Sequence, residues 1–354
     1  MEIEKKHSTM KVKRYSYERF DEFFSAMLNF LTFNKSPHSQ FDKWLFRGTS
    51  SIEHKLIPSA LREDSYKKLN KFGGNRPPQC AGEQVKMEYY ALWEFYKISN
   101  ENGLKIKGSN SMRKEYLSNM TQEFAFQNTA YKWLSDEYEE LAALAQHYGI
   151  CTRMLDWTSD FFTALYFASS NALQKWNANP INFDCTDKMV IWLLNGGQIH
   201  QMSKKLPLKL VVPPYHDNPN LNAQKGVLSY WEIEMPSRKD EIAYYPIAID
   251  YRTLDQQLEE YDFGYDANHI KILHGIEIDI TECGFMYETM SDIGTHAAKL
   301  FPGYDGVKRK MEEDAILQRF NFWLQEKRCL QCKESAAKNG TPIRCEEECK
   351  EISP

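Results

Sequence analysis

CTRMLDWTSDFFTALYFASSNAL, residues 151–173, is the stretch from which the rest of the chain is read. Its first part is short and β-prone and reads as a strand through Leu155. Asp156-Trp-Thr-Ser159 reads as a turn, and the apolar spacing beyond it predicts a helix over about 160–173 with Ser159 or Asp160 as its cap. A corner where a strand stops and a helix begins is where mixed folds gather polar groups on a ligand, which makes Asp156 and Thr158 candidate site residues. A purely structural reading competes, in which Asp156 or Ser159 caps the helix and Arg153 pairs with a carboxylate. Phe161, Phe162, Leu165, Tyr166 and Phe167 read mostly as core. Tyr166 is the ring that could face a ligand while its hydroxyl stays wet.

Upstream, a helical pattern over about 131–147 ends at Gly149, a residue suited to the position after a helix C-cap, and a second runs over about 83–99. Trp44-Leu-Phe-Arg-Gly48 reads as a strand ending in a loop. Its Arg47 is always charged and needs a partner if buried, either in a structural ion pair or as an anion clamp, where the adjacent Gly48 would let a ligand approach the backbone. A helix of about 15 residues opens the fold after Ser16. Downstream, Met189–Leu194 reads as a buried strand, 195–222 as a long polar loop, and Val227–Ile233 and Ile242–Ile249 as strands. Helices follow near 251–261, 285–299 and 307–326, with a turn at 301–306. The expected fold is α+β: a mixed or antiparallel sheet surrounded by helices, built from residues 1–326, with a cysteine-bearing tail at 327–354.

At 354 residues there is room for one large or two modest domains. The 20 Phe, 20 Tyr and 8 Trp exclude a disordered chain. A net charge of −5 lacks the basic excess of a dedicated nucleic-acid binder, so none is expected as partner. No apolar run approaches the length of a membrane span and the first residues carry no signal-peptide pattern, so a cytoplasmic protein without membrane contact is expected. Among eight cysteines, Cys329-Leu-Gln-Cys332 and Cys345-Glu-Glu-Glu-Cys349 have spacings that suit one tetrahedral, structural zinc, against the alternative of free thiols on a polar tail. P-loop, GxSxG, HExxH and DxDxDG patterns are missing, which disfavours the common kinase and hydrolase chemistries.

WLFRGTS, LAALAQHYGICTRMLDWTSDFFTALYFA, LNAQKGVLS and KLFPGYDGV, in that order over about 41–310, resemble the FRG domain, a family of bacterial and phage proteins named for its Phe/Tyr-Arg-Gly motif. That family has no established general activity. A more distant resemblance links the chain to ADP-ribosyltransferases of the Arg-Ser-Glu type: Arg47-Gly48 is similar to their first strand motif, and Asp156-Trp-Thr158 leading into Thr163–Ala168 to their second. Gln224-Lys-Gly226 stands at the place of their catalytic glutamate.

The resemblance implies an ADP-ribosyltransferase-like fold and NAD as cofactor. Arg47 would lie on the pyrophosphate, the Gly48 main chain on the carboxamide, Tyr166 against nicotinamide, and Thr158 or Asp156 at the ribose. Gln224 would hold the acceptor position and His147, just before the strand of Asp156, a lesser binding role. An amide cannot act as a base, so Asp156, or Glu232 and Glu234, would have to supply the missing carboxylate, although strand alternation equally turns those two glutamates to solvent. The function so implied is a toxin or phage-defence effector acting on an unidentified macromolecule, with an antitoxin or immunity protein as a further partner. The alternative is a non-catalytic module that recognises a nucleotide or a protein.

Overall fold

The protein is described from a computed structural model that covers residues 12–33, 44–69, 76–106, 112–114, 132–214, 218–234, 247–263 and 271–339, with side chains described up to residue 327. Lys-Met-Val-Ile-Trp-Leu-Leu-Asn, the strand β5 (Lys188–Asn195), is apolar on both faces and is buried through its six central residues. Such a strand belongs inside a sheet covered on both sides. It pairs antiparallel with β9 (Leu273–Asp279) on one flank and with β2 (Trp44–Thr49) on the other. The full order is β1 (Val12–Tyr17), β9, β5, β2, β4 (Leu155–Thr158), β7 (Gly226–Trp231) and β6 (Leu208–Val211). Only the β1–β9 contact is parallel, so the sheet is mixed and the fold is α+β. A two-stranded ladder of β3 (Lys132–Trp133) and β8 (Ile233–Glu234) stands apart from it.

One face of the sheet carries the helix Phe161–Ala178, backed by Phe20–Phe33, Cys283–Asp292 and Tyr304–Asn339 around a core of Phe23, Phe46, Phe161, Leu165, Ile191, Met286 and Phe320. The other face buries Leu45, Trp157, Val190, Trp192 and Leu194 beneath Leu254–Glu260, whose Thr253 and Gln256 form a reciprocal capping box. A third cluster joins the helices Ala81–Glu101 and Glu139–His147 to Leu228 and Tyr230 of β7.

Several sequence expectations change here. The opening helix runs from Phe20 to Phe33, and Ser16 lies in β1, where its hydroxyl accepts from Lys188 Nζ at 2.6 Å. β1 and β9, neither expected, pair across more than 250 residues of chain. The helical pattern over 131–147 contains β3 and a single 3-10 turn before the helix proper begins at Glu139. Its end is as read: Gly149 takes φ +85°, and the amides of Gly149 and Ile150 return to the carbonyls of Gln146 and Ala145 at 2.9 and 3.0 Å. The stretch 195–222 holds the helices Gly196–Gln201 and Pro219–Ala223 and the strand β6. Residues 247–249 are not in a strand, and the rest of the stretch expected over 242–249 lies outside the described residues. Asp156 and Thr158 belong to β4 itself, and the helix cap is Asp160, whose carboxylate accepts from the Phe162 amide at 3.1 Å.

Candidate functional site at the opening between β2 and β4

β2 and β4 share a single paired position, Phe46 with Thr158, whereas β2 matches β5 over six. Beyond that pair the two strands part, and Arg47 occupies the gap. Its Nη1 donates to the Asp156 carbonyl at 2.7 Å and stands 3.6 Å from the Asp156 carboxylate. The two partners are unequally placed: the Arg47 side chain is 19 % exposed and that of Asp156 is 68 % exposed. Arg47 Nε is buried without a hydrogen-bond partner. Burial pushes the Arg47 pKa down, the Asp156 carboxylate opposes that shift, and the Arg62 guanidinium reinforces it.

Two cavities meet at this residue. The inner one, about 320 Å³, lies between the parted strands and is lined by Arg47, Asp156, Thr158, Phe167, Asn171 and Gln224 among others. The outer one, about 1420 Å³, is bordered by the loop after β2, the segment 61–67 and the end of the helix Phe161–Ala178. Arg47, Gly48 and Asn171 line both.

The corner opposite Arg47 is fastened from three sides. Thr158 Oγ1 donates to the Gln224 carbonyl at 2.7 Å, the Ser159 amide to the Lys225 carbonyl at 3.1 Å, and Lys225 Nζ pairs with Asp160 at 2.7 Å. Asp156 Oδ1 accepts from Gln146 Nε2 at 2.6 Å, and Thr152 Oγ1 in turn donates to Gln146. His147 lies at the exposed end of its helix, with its pKa held down by burial of the ring and pulled up by Asp156. It lines neither cavity.

Arg47, Gly48, Asp156, Thr158 and Gln224 thus come together, but Gly48 and Gln224 carry assignments that the sequence did not suggest. A Cβ on Gly48 would stand 1.9 Å from the Ala164 carbonyl oxygen. The glycine is there so that β2 can lie directly on the helix Phe161–Ala178, and approach of a ligand is not needed to explain it. Gln224 spends its side-chain amide on the Leu300 carbonyl at 3.1 Å, which ties the short helix Ala297–Leu300 to the corner.

Tyr166 takes the core reading, and the ligand-facing one is corrected: it is fully buried, lines neither cavity, and its hydroxyl donates to the buried Glu313 at 2.9 Å. Tyr287 and Arg309 serve the same carboxylate, at 3.2 and 2.8 Å. Its neighbour Phe167 is the aromatic residue of this helix that borders the inner cavity, together with Phe46 and Trp157. Glu232 and Glu234 border a separate cavity with Trp231 and Arg252; Glu232 is 9 % exposed and pairs with Lys132 at 3.2 Å, so only Glu234, at 81 %, faces solvent. Neither brings a carboxylate to Arg47.

Residues that sequence reading passed over are Asn171, His54, Arg62 and Lys175, all lining the outer cavity. Asn171 follows Phe167 by one helical turn, a signal that becomes visible once Phe167 rather than Tyr166 is set on the inner face. Arg62 Nε donates to the Ile57 carbonyl at 3.2 Å, and no carboxylate among the described residues lies within ion-pair distance of it. Lys175 pairs with Asp187 at 2.6 Å.

For the cysteine set, the C-terminal helix runs on through positions 329 and 332, while Cys345 and Cys349 lie outside the described residues. Among the described residues no group of His, Cys, Asp or Glu has the arrangement of a metal site, and no helix is long and apolar enough to cross a membrane.

No curated protein and no solved structure matches this chain. The family model of the FRG domain matches residues 42–177, which includes β2 with Arg47-Gly48, the whole of β4 and nearly all of the helix behind them. The chain thus carries an FRG domain over residues 42–177.

Proposed function

We propose that the opening between β2 and β4 binds the phosphate part of a nucleotide, with Arg47 as its anchor and NAD as the nucleotide that the ADP-ribosyltransferase resemblance nominates. The observation that carries this reading is the unpartnered, buried Arg47 Nε at the junction of two cavities. A guanidinium that has left water with part of its fork unused gains most from an anion. The residues fit the anionic part of NAD and do not fit the nicotinamide part: Tyr166 has no free face, and the side-chain amide of Gln224 is committed to Leu300. The site therefore favours recognition over turnover, which is the non-catalytic alternative.

The experiment is thermal denaturation with NAD or ADP added. A rise in Tm that Arg47→Ala removes supports the reading, and no rise with either nucleotide overturns it.

A second reading, transferase activity in a toxin or phage-defence effector, rests on the exposed Asp156 carboxylate at the mouth of the inner cavity. It requires release of nicotinamide from NAD and relief of toxicity on expression by Asp156→Ala. The four C-terminal cysteines carry a separate proposal of one structural zinc, checked by metal content of the purified protein and its loss in Cys345→Ser.

A further inference from the structure

The outer cavity gathers cations in a chain whose overall charge is negative. Arg47, Lys55, Arg62, Lys67 and Lys175 line it against Glu53, Glu63 and Asp64, while the whole protein carries −5. Lys67 is already matched with Asp64 at 2.6 Å and Lys175 with Asp187 at 2.6 Å, while Arg47 has the exposed Asp156 carboxylate at 3.6 Å. Arg62 is exposed and bonded only through Nε to the Ile57 carbonyl, with no carboxylate partner among the described residues. The two guanidinium groups are close enough for Arg62 to act against the charge of Arg47, and both act on His54. Like charges gathered on one cavity wall repel each other, and a bound anion turns that repulsion into attraction on both sides.

We propose that Arg62 forms a second anion subsite in the outer cavity, next to that of Arg47, so that the ligand of this cleft carries two linked phosphates rather than one. This rests on the nucleotide-binding reading and adds to it the residue that separates diphosphates from monophosphates. The two forks have complementary commitments. Arg47 gives Nη1 to Asp156 and keeps Nε, whereas Arg62 gives Nε to Ile57 and keeps both terminal nitrogens. A single phosphate on Arg47 leaves the second fork unused, and a diphosphate reaches both. The larger volume on the Arg62 side, about 1420 Å³ against about 320 Å³ inside, gives the second phosphate its room.

The test is calorimetric titration of the intact chain with ADP and with AMP, repeated on Arg62→Ala and Arg62→Lys. The exposed side chain makes no ion pair, so both variants should melt where the wild type does. Wild type binds ADP more tightly than AMP. Arg62→Ala loses about tenfold for ADP and less than about threefold for AMP, and Arg62→Lys recovers part of the difference. Equal losses for the two nucleotides, or no loss for ADP, overturn the subsite while leaving the Arg47 reading intact. If wild type binds neither nucleotide, both proposals fall together.

Discussion

Arg47, in β2, and Arg153, just before β4, solve the same physical problem in opposite ways. Arg153 precedes β4 and is closed off: it and Glu88 are each 3 % exposed and joined by two hydrogen bonds, 2.7 and 2.8 Å. The remaining capacity of Glu88 is taken by Trp133 Nε1 at 2.7 Å and Gln84 Nε2 at 2.8 Å. All four of these hydrogen bonds to the Glu88 carboxylate come from inside the protein. Arg47 has instead a carbonyl, a carboxylate at 3.6 Å that remains mostly in water, and a nitrogen without a partner at the junction of two cavities. A buried arginine becomes a binding group when its countercharge stays outside, and a scaffold when its countercharge is buried with it.

The largest effect should come from breaking the closed site. Glu88→Gln removes the charge that compensates Arg153 while keeping the shape, which costs about 3–5 kcal/mol of stability in urea denaturation. Nucleotide binding by the fraction that folds should be unchanged. If the loss is under about 1 kcal/mol, the contrast between the two arginines fails. Next comes Gly48→Ala, whose new methyl meets the Ala164 carbonyl and forces β2 off the helix; overpacking of this kind costs about 1–3 kcal/mol or more. A variant that melts normally and loses only ligand would return Gly48 to the role of ligand contact.

Arg47→Ala reverses the pattern. Its partner Asp156 is hydrated already, so stability should move by less than about 1 kcal/mol, while ADP affinity falls at least about tenfold. A large drop in Tm with no ligand present would make Arg47 a second Arg153.

The sequence makes this contrast only half visible, for reasons that attach to particular residues. The strand Trp44–Thr49, the Schellman turn at Gly149 and the helix start at Asp160 are local, decided by residues within a few positions, and they are legible. β1 is not: Val-Lys-Arg-Tyr-Ser-Tyr is a polar edge strand whose partner lies more than 250 residues away. Arg47 and Arg153 look alike in one dimension, each a cation beside apolar residues, and only the position of Glu88 on a distant helix separates them. The burial of Tyr166 is hidden for the same reason, since its partner Glu313 is 147 residues downstream. Gly48 reads equally as a ligand contact or a packing contact until the Ala164 carbonyl is seen beside it.

The smallest expected effect concerns pH, and it arises only on the open side of the comparison. His54 lines the outer cavity with its Nδ1 3.4 Å from Ser50 Oγ. Partial burial of the ring holds its pKa below 6.5; Lys175, Arg62 and Arg47 push the same way, and Asp187 pulls against them. The folded chain therefore takes up fewer protons at this position than the unfolded chain does. Stability from this source is present above pH 6.5 and is lost as pH falls through 6.5 toward the lower folded value. A diphosphate beside the ring favours the imidazolium and recovers that loss, so affinity should rise over the same fall in pH. NAD is the suitable probe, because its diphosphate diester does not change charge over this range. Its affinity should increase by less than about tenfold between about pH 7.5 and 5.5, and His54→Gln should flatten the profile. A profile already flat in the wild type would place the anion away from His54 and confine the ligand to the Arg47 side of the cleft.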